Sequence, residues 1–440
     1  MYTTVEEAIE WIHSRKKFGV RPGLMRIESL LEKCDHPEHQ IPTIHVAGTN
    51  GKGSTVSFLR SLLAEQGLTV GIFTSPYIER FHERIQIDQT FISDEALVTI
   101  VNRIYPVVMA LDEDPELTGI TEFEILTACA FLYFAQENVD VAVIEVGLGG
   151  LYDSTNVITP KVSVITTIGL DHMDILGDTI EEIALQKAGI IKPSVPVVIG
   201  NIAEPALSVL KQVAKNKQAP ASIYDQNFHP HYEHVDAQWG EWWTFYNEAG
   251  RIQELYIPLM GRHQVENASV ALEAFLNYCT QMNLKPQQKE IRRGLKQAYW
   301  PARMERLHTD PLIIVDGAHN EHAMARLVEN MQQDFSQRKI YVLFSALQTK
   351  PVTQMIDQLL TIPNCEILLT TFDFPKALVL SDSLLKKAPK RLSFVSLWQV
   401  GLGEILEKMQ EDDVLLITGS LYFVSEVRAF ILTLLEENNG

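Results

Sequence analysis

Lys52 sits in the run HVAGTNGKGST (45–55), whose residue types are suited to holding the phosphates of a nucleotide. Glycines let backbone N–H groups turn toward an anion with no Cβ in the way, a following helix adds its positive end, and a lysine adds a point charge. Thr49, Asn50, Gly51, Lys52, Gly53 and Ser54 are the residues that would line such a loop, and the Ser54 hydroxyl could face Mg²⁺. The run departs from the common GxxxxGK[ST] expression, because Val46 replaces the first glycine and Gly53 separates Lys52 from Ser54.

Three further groups of polar residues follow predicted strands, where ligands bind in open α/β sheets. They are Thr74-Ser75-Pro76-Tyr77, the glycine-rich stretch from Glu145 to Gly150, and Gly169-Leu170-Asp171-His172. A hard cation such as Mg²⁺ takes oxygens and retains waters, so Ser75, Glu145 and His172 are candidate ligands. Singly, Glu145 reads better as a strand-end residue capping the next glycine turn and His172 as a turn residue. As a group behind a phosphate loop they point to a metal. Lys187 lies toward the end of a predicted helix that starts near Thr179, where a lysine ordinarily complements the helix dipole. His229, His231 and His234 have no accompanying cysteine or HExxH partner, which argues against zinc there.

Two candidates lie later in the chain. Asp316 in Asp316-Gly317-Ala318-His319-Asn320 could accept from a ribose or could cap a helix, and His319 could face a ligand. Arg303 is either a solvated linker charge or a guanidinium that reaches a γ-phosphate.

The elements that must position these residues alternate. Short apolar runs at Thr43–Ala47, Val70–Phe73, 139–146, 161–168 and 195–199 predict strands buried on both faces, hence a mostly parallel sheet wrapped by helices. The 1–18 segment predicts an amphipathic helix. Aromatic residues interleaved with polar ones over 224–258 predict antiparallel hairpins, followed by a helix over 264–282 and a polar helix ending near Ala298. Trp300-Pro301-Ala302-Arg303 reads as a linker. Strands at 312–315, Ile340–Phe344, 366–370 and Val414–Thr418, alternating with helices, predict a second α/β layer. The expected organisation is therefore α/β throughout. An N-terminal P-loop NTPase-like domain (1–298) combines a mostly parallel sheet with a small antiparallel sheet, and a smaller Rossmann-like domain spans 303–440.

Bulk composition restricts the partners. A chain of 440 residues is long for one core, so two domains are expected. The formal net charge of −19 argues against nucleic acid or an anionic membrane as partner. Cys34, Cys129, Cys279 and Cys365 form no CxxC pair, which suits free thiols in a reducing cytoplasm. No apolar run approaches the roughly 20 residues that cross a bilayer. A cytoplasmic monomer is expected.

Taken in order along nearly the whole chain, the motifs resemble the folylpolyglutamate synthase and dihydrofolate synthase family within the Mur ligases. The resemblance rests on HVAGTNGKGST (45–55), FTSPY (73–77), ERI (83–85), TEFE (121–124), EVGLGG (145–150) with Asp153, Thr155 and Asn156, IGLDH (168–172), KAGIIK (187–192), GRHQ (261–264) with Asn267, DGAHN (316–320) and TGSLYF (418–423). It implies an ATP-dependent ligase that joins L-glutamate to the γ-carboxyl of folate through an acyl phosphate, releasing ADP and phosphate. It also implies that Lys52 and the loop amides hold the β- and γ-phosphates, that Ser75, Glu145 and His172 ligate Mg²⁺, and that Asn267 and Asp316 contact adenosine. Arg303 would meet the γ-phosphate, while His319 and Ser420 would line the cleft. Lys187 would be carbamylated, and Lys52, Lys187 and His319 would carry the catalysis. Relatives within reach of the same motifs are a bifunctional dihydrofolate synthase, a ligase of cell-wall precursors and a nucleotide-binding protein without catalysis. Three positions depart from the family pattern: Leu151 stands for an arginine, Thr349-Lys350-Pro351 for an acidic segment, and Lys376 for an arginine.

Overall fold

In a computed structural model the described residues are 1–379 and 390–439. The chain divides into two compact units. One comprises Met1–Asp236, Trp242–Pro258 and Gln264–Tyr299, the other Ala237–Glu241, Leu259–His263 and Trp300–Gly440.

The first unit is built on β1 (Thr43–Ala47), β2 (Val70–Phe73), β3 (Ile85–Ile87), β4 (Thr90–Phe91), β5 (Val141–Glu145), β6 (Val162–Ile165), β7 (Val197–Ile199) and β8 (Ala221–Ile223). They pair in the order β4-β3-β2-β5-β1-β6-β7-β8. From β2 to β8 every pairing is parallel, and β3 and β4 add an antiparallel edge. The central strands are buried throughout, which their Val- and Ile-rich sequences anticipate. β6 is shorter than the predicted 161–168. Past Ile165 the Thr166 N–H still donates to the Ala47 carbonyl, and the Thr166 and Thr167 hydroxyls turn to the Asn50 carbonyl. A three-stranded sheet of β9 (Phe228–Val235), β10 (Glu241–Asn247) and β11 (Gly250–Ile257) occupies the predicted hairpin region.

Register decides what gathers at one end of the large sheet. Val46 pairs with Glu145, Ala47 with Ile165 and Phe73 with Ile144, so Gly48, Ser75, Glu145 and Thr166 all emerge from the same edge. This carboxyl edge is where an open parallel sheet offers its loops and helix N-termini to a ligand.

The second unit carries β12 (Glu305–Thr309), β13 (Leu312–Asp316), β14 (Ile340–Phe344), β15 (Cys365–Leu369), β16 (Leu392–Phe394) and β17 (Val414–Thr418). Their order is β12-β13-β17-β14-β15-β16, parallel except for β12, which makes the sheet mixed. β12 and β16 escape sequence reading because neither is a fully apolar run. Asp316 is the last residue of β13 and lies beside Thr418, so the Asp316 and Ser420 loops leave adjacent strands. The N-terminal amphipathic segment is a helix over Val5–Ser14, with Thr4 and Glu7 closing a capping box. No helix among the described residues is long and apolar enough to cross a membrane.

Candidate active site

The phosphate loop is a strand-to-helix turn held from below by threonines. β1 ends at Ala47, and the helix Lys52–Ala64 starts after Gly51, whose φ of +83° is left-handed and therefore suits glycine. Thr166 donates to the Asn50 carbonyl at 2.6 Å and Thr167 donates to the same oxygen at 3.0 Å. The Asn50 N–H returns a bond to Thr167 at 2.9 Å, and the Thr49 N–H donates to the Thr167 carbonyl at 2.8 Å. A Cβ on Gly48 would overlap the Thr166 hydroxyl, and one on Gly51 would overlap the Asn267 amide oxygen. The glycines thus permit close approach as well as the turn. Thr166 and Thr167 were hidden in the sequence, where they look like the continuation of a β-branched strand. Asn267 lies against the loop from the helix Arg262–Gln281 and donates to Gln264 at 3.1 Å.

Two lysines converge beneath this loop. Lys52 Nζ lies 3.1 Å from the Gly48 carbonyl and 3.9 Å from Glu145, which is 4% exposed. Lys187, on the helix Ile180–Ala188, is also 4% exposed and donates to the Gly48 carbonyl at 3.1 Å. Burial, with the Lys52 charge second, pushes the Lys187 amine down to about 7, against the pull of Asp171 and Asp153. Its role is therefore not that of a solvated dipole partner. The helix is brought to the loop by glycines: a Cβ on Gly150 would press on the Gln186 carbonyl, and Leu151 donates from its N–H to that oxygen at 2.7 Å.

Ser75 and Glu145 are neighbours, with the Ser75 N–H 3.4 Å from the Glu145 carboxylate. Glu83 ties down the chain after Ser75 by accepting from the N–H groups of Ile78, Glu79 and Arg80 at 2.6, 2.9 and 2.8 Å. His172 is exposed, with φ +51°, and its Nε2 stands 3.9 Å from Asp171. Among the described residues, no three His, Cys, Asp or Glu donors of this mouth lie within 4.8 Å of one another. The oxygen donors Ser75 and Glu145 are the type Mg²⁺ prefers, and the scarcity of protein donors agrees with an ion that retains waters and phosphate oxygens.

Beneath β1 a buried polar chain fixes the glycine-rich stretch. Asp153 accepts from the Leu148 N–H at 2.8 Å and from the Thr155 hydroxyl. The His45 Nε2 lies 2.8 Å from that same hydroxyl. Thr155 has one proton and gives it to Asp153, so His45 donates through Nε2. Burial pushes the imidazole down to about 3, which keeps it neutral. The TEFE segment is structural in part: Thr121 and Glu124 close a capping box, and Glu124 also pairs with Arg26 at 3.0 Å. Phe123 fills the space that a Cβ on Gly147 would need.

The candidates of the second unit are held by backbone. Asp316 accepts from the N–H groups of Met304 at 2.8 Å and Ala318 at 2.9 Å; burial raises its carboxyl, opposed by the nearby Arg303 charge. Arg303 donates to the Ala302 carbonyl at 2.9 Å. Ala302 and Met304 both have positive φ, +55° and +44°, so the linker is a strained turn held by its partners. Glu305 is one of them, accepting from the Ala302 N–H at 2.8 Å and from both sides of the Arg428 guanidinium at 2.8 and 2.9 Å. His319 Nδ1 lies 2.8 Å from the Gly317 carbonyl, and Asn320 caps the helix Glu321–Asp334. Ser420 is buried.

The remaining singled-out residues fall elsewhere. His229 stacks on Tyr246 and His234 on Trp242, with ring centroids 5.1 and 6.3 Å apart. Thr349 and Lys376 are exposed. All four cysteines are buried and unpaired.

Comparison with known proteins agrees over nearly the full length. Residues 46–275 match the Mur ligase middle domain and residues 302–421 the Mur ligase glutamate ligase domain. The chain is 44% identical to the dihydrofolate synthase/folylpolyglutamate synthase of Bacillus subtilis, covering 97% of this chain and 99% of that one. It is 38% identical to the folylpolyglutamate synthase of Lacticaseibacillus casei, covering 97% and 98%. Among solved structures, an FPGS–AMPPCP–folate complex superposes with a TM-score of 0.84 at 37% identity, covering 98% of this chain and 100% of that one. The Mycobacterium tuberculosis folylpolyglutamate synthase complexed with ADP and AMPPCP gives 0.88 at 29%, covering 97% and 98%.

Proposed function

This chain belongs to the Mur ligases, in their folylpolyglutamate synthase branch, and we propose from that premise how its own residues serve the reaction. The protein is an ATP-dependent ligase that adds glutamate to folate. The carboxyl of the folate substrate takes the γ-phosphoryl group of ATP to give an acyl phosphate and ADP. The amine of L-glutamate then displaces phosphate and forms the amide.

The observation that carries our reading of the site is the convergence of Lys52 and Lys187 on the Gly48 carbonyl, with Glu145 beside Lys52. Phosphates and a carboxylate repel one another, so this mouth must supply positive charge and donors. Lys52 and the N–H groups of residues 51–54 hold the β- and γ-phosphates, with Thr49 and Asn50 lining the same loop and fixed by their N–H bonds to Thr167. Ser75, Glu145 and His172 hold Mg²⁺, which when bound neutralises phosphate oxygens. Lys187 acts as its carbamate: a buried amine pushed down to about 7 is substantially neutral at physiological pH, which is the form that adds CO₂. Adding CO₂ to the neutral amine releases one proton and leaves an anion beside Lys52, where a protonated amine would be repelled. Following the family resemblance, Asn267 and Asp316 are each assigned to adenosine, Arg303 to the γ-phosphate, and His319 and Ser420 to the reacting groups.

We further assign a cytoplasmic monomer, and the identity with a dihydrofolate synthase/folylpolyglutamate synthase supports dihydropteroate as a second acceptor. The metal assignment is tested by titrating Mg²⁺ into the chain with a non-hydrolysable ATP analogue. Glu145→Gln should raise the Mg²⁺ requirement by about tenfold or more, the loss expected of a charged contact. An unchanged Mg²⁺ dependence would remove Glu145 from the metal site.

A further inference from the structure

We propose that the turn His36-Pro37-Glu38-His39 is a divalent transition-metal site that takes Zn²⁺ through two imidazoles and one carboxylate. The backbone brings the three side chains together. His36 has a left-handed φ of +50°, and Pro37–His39 is a single 3₁₀ turn with proline at its start. The His39 N–H donates to the His36 carbonyl at 3.1 Å and closes the turn, and the His36 and His39 rings stack at 5.2 Å between centroids with 7° between planes.

Glu38 points its carboxylate at both rings. Its Oε1 lies 2.9 Å from His36 Nδ1 and 3.6 Å from His39 Nε2. The Glu38 side chain is 4% exposed, and its Oε2 is buried with no hydrogen-bond partner. A carboxylate so placed is costly unless something positive completes it. All three donor atoms lie within 4.8 Å of one another, and among the described residues no other group of three or more His, Cys, Asp or Glu does so.

The donor set selects the ion. A tetrahedral Zn²⁺ with bonds of about 2.0–2.1 Å sets neighbouring donors about 3.3 Å apart, between the two separations seen. Two nitrogens and one oxygen suit Zn²⁺ or Co²⁺, whereas Mg²⁺ and Ca²⁺ want oxygens alone. Both imidazoles are exposed, at 49% and 62%, so an ion can reach them and the rings can turn to it. The turn precedes Thr43, where β1 begins, while the phosphate loop follows Ala47 at the other end of that strand. The site is therefore separate from the ligase mouth. An ion there would pin the entry to β1.

The test uses the full-length chain stripped of metal, titrated with Co²⁺ and followed by its d–d absorption, then with Zn²⁺ as competitor. Wild type should take up one equivalent with a visible band that Zn²⁺ abolishes and excess Mg²⁺ does not. The chain has 13 histidines, so the comparison is with H36N/H39A, in which asparagine keeps the left-handed backbone at low cost. That variant should lose the band, bind at least about 100-fold more weakly, and lose the rise in Tm that Zn²⁺ gives wild type. Both altered side chains are exposed, so folding survives. Equal uptake by the two proteins, or displacement of Co²⁺ by Mg²⁺, would overturn the proposal.

Discussion

Lys187 donates to the backbone carbonyl of Gly48 over 3.1 Å, the same oxygen that Lys52 reaches at 3.1 Å. Two ammonium groups on one acceptor repel each other, and both burial and the Lys52 charge disfavour protonated Lys187. The arrangement makes chemical sense if Lys187 is not a cation in the working enzyme. In [¹³C]bicarbonate, wild type should show a carbamate carbon resonance that Lys187→Arg lacks. Glutamate-dependent phosphate release should fall at least about 100-fold in the variant, the loss of roughly 3 kcal/mol of transition-state stabilisation. A fully active Lys187→Arg would contradict the assignment.

The same lysine predicts a pH dependence of stability when CO₂ is excluded. Its folded value, about 7, is below the unfolded value of 10.5, so between these the unfolded chain binds more protons and stability rises with pH. Below about pH 7 both states are protonated and the burial penalty is present in full. Denaturant unfolding of wild type and Lys187→Met at pH 7 and pH 9 should show the difference moving in favour of wild type by up to roughly 2 kcal/mol. A pH-independent difference would show that the amine is not depressed.

Gly48→Ala tests the approach of the loop to Thr166. The new methyl would overlap the Thr166 hydroxyl and disturb its bond to Asn50. Affinity for a non-hydrolysable ATP analogue should drop about tenfold or more, with roughly 1–3 kcal/mol of stability lost through overpacking. Calorimetric binding unchanged within about twofold would mean that the loop yields easily.

Asp316→Ala should cost roughly 2 kcal/mol in unfolding free energy, since the N–H groups of Met304 and Ala318 each lose their acceptor. Met304 and Ala302 hold positive φ only because neighbours such as Asp316 and Glu305 dictate it. A variant as stable as wild type, but with weakened nucleotide affinity, would assign Asp316 to binding alone.

How much of this was legible in the sequence depended on how local the signal was. The central strands were, since runs such as Val141–Glu145 and Val414–Thr418 are apolar at every buried position up to a polar end. The phosphate loop was, because glycine, lysine and strand-to-helix spacing are local. Thr166 and Thr167 were not, because two β-branched residues after a strand look like more strand, and their partner Asn50 is over a hundred residues away. Lys187 alone looked like an ordinary helix-end lysine; only tertiary burial sets it under Gly48. The Asp316 pattern showed two roles at once; its carboxylate makes an Asx-type bond to the Ala318 N–H and a second to the Met304 N–H, while Asn320 caps the helix that follows. Short edge strands such as Thr90–Phe91 were invisible, having no apolar run to announce them.

The most direct test of the account is phosphate release from ATP by the purified chain with Mg²⁺, glutamate and tetrahydrofolate, with dihydropteroate and a UDP-muramyl peptide as alternative acceptors. The account predicts ADP and phosphate in equal amounts with tetrahydrofolate, only when glutamate is also present, together with a product one glutamate longer, and nothing with the muramyl peptide. ATP binding without glutamate-dependent release from any acceptor, or release with the muramyl peptide alone, would contradict it.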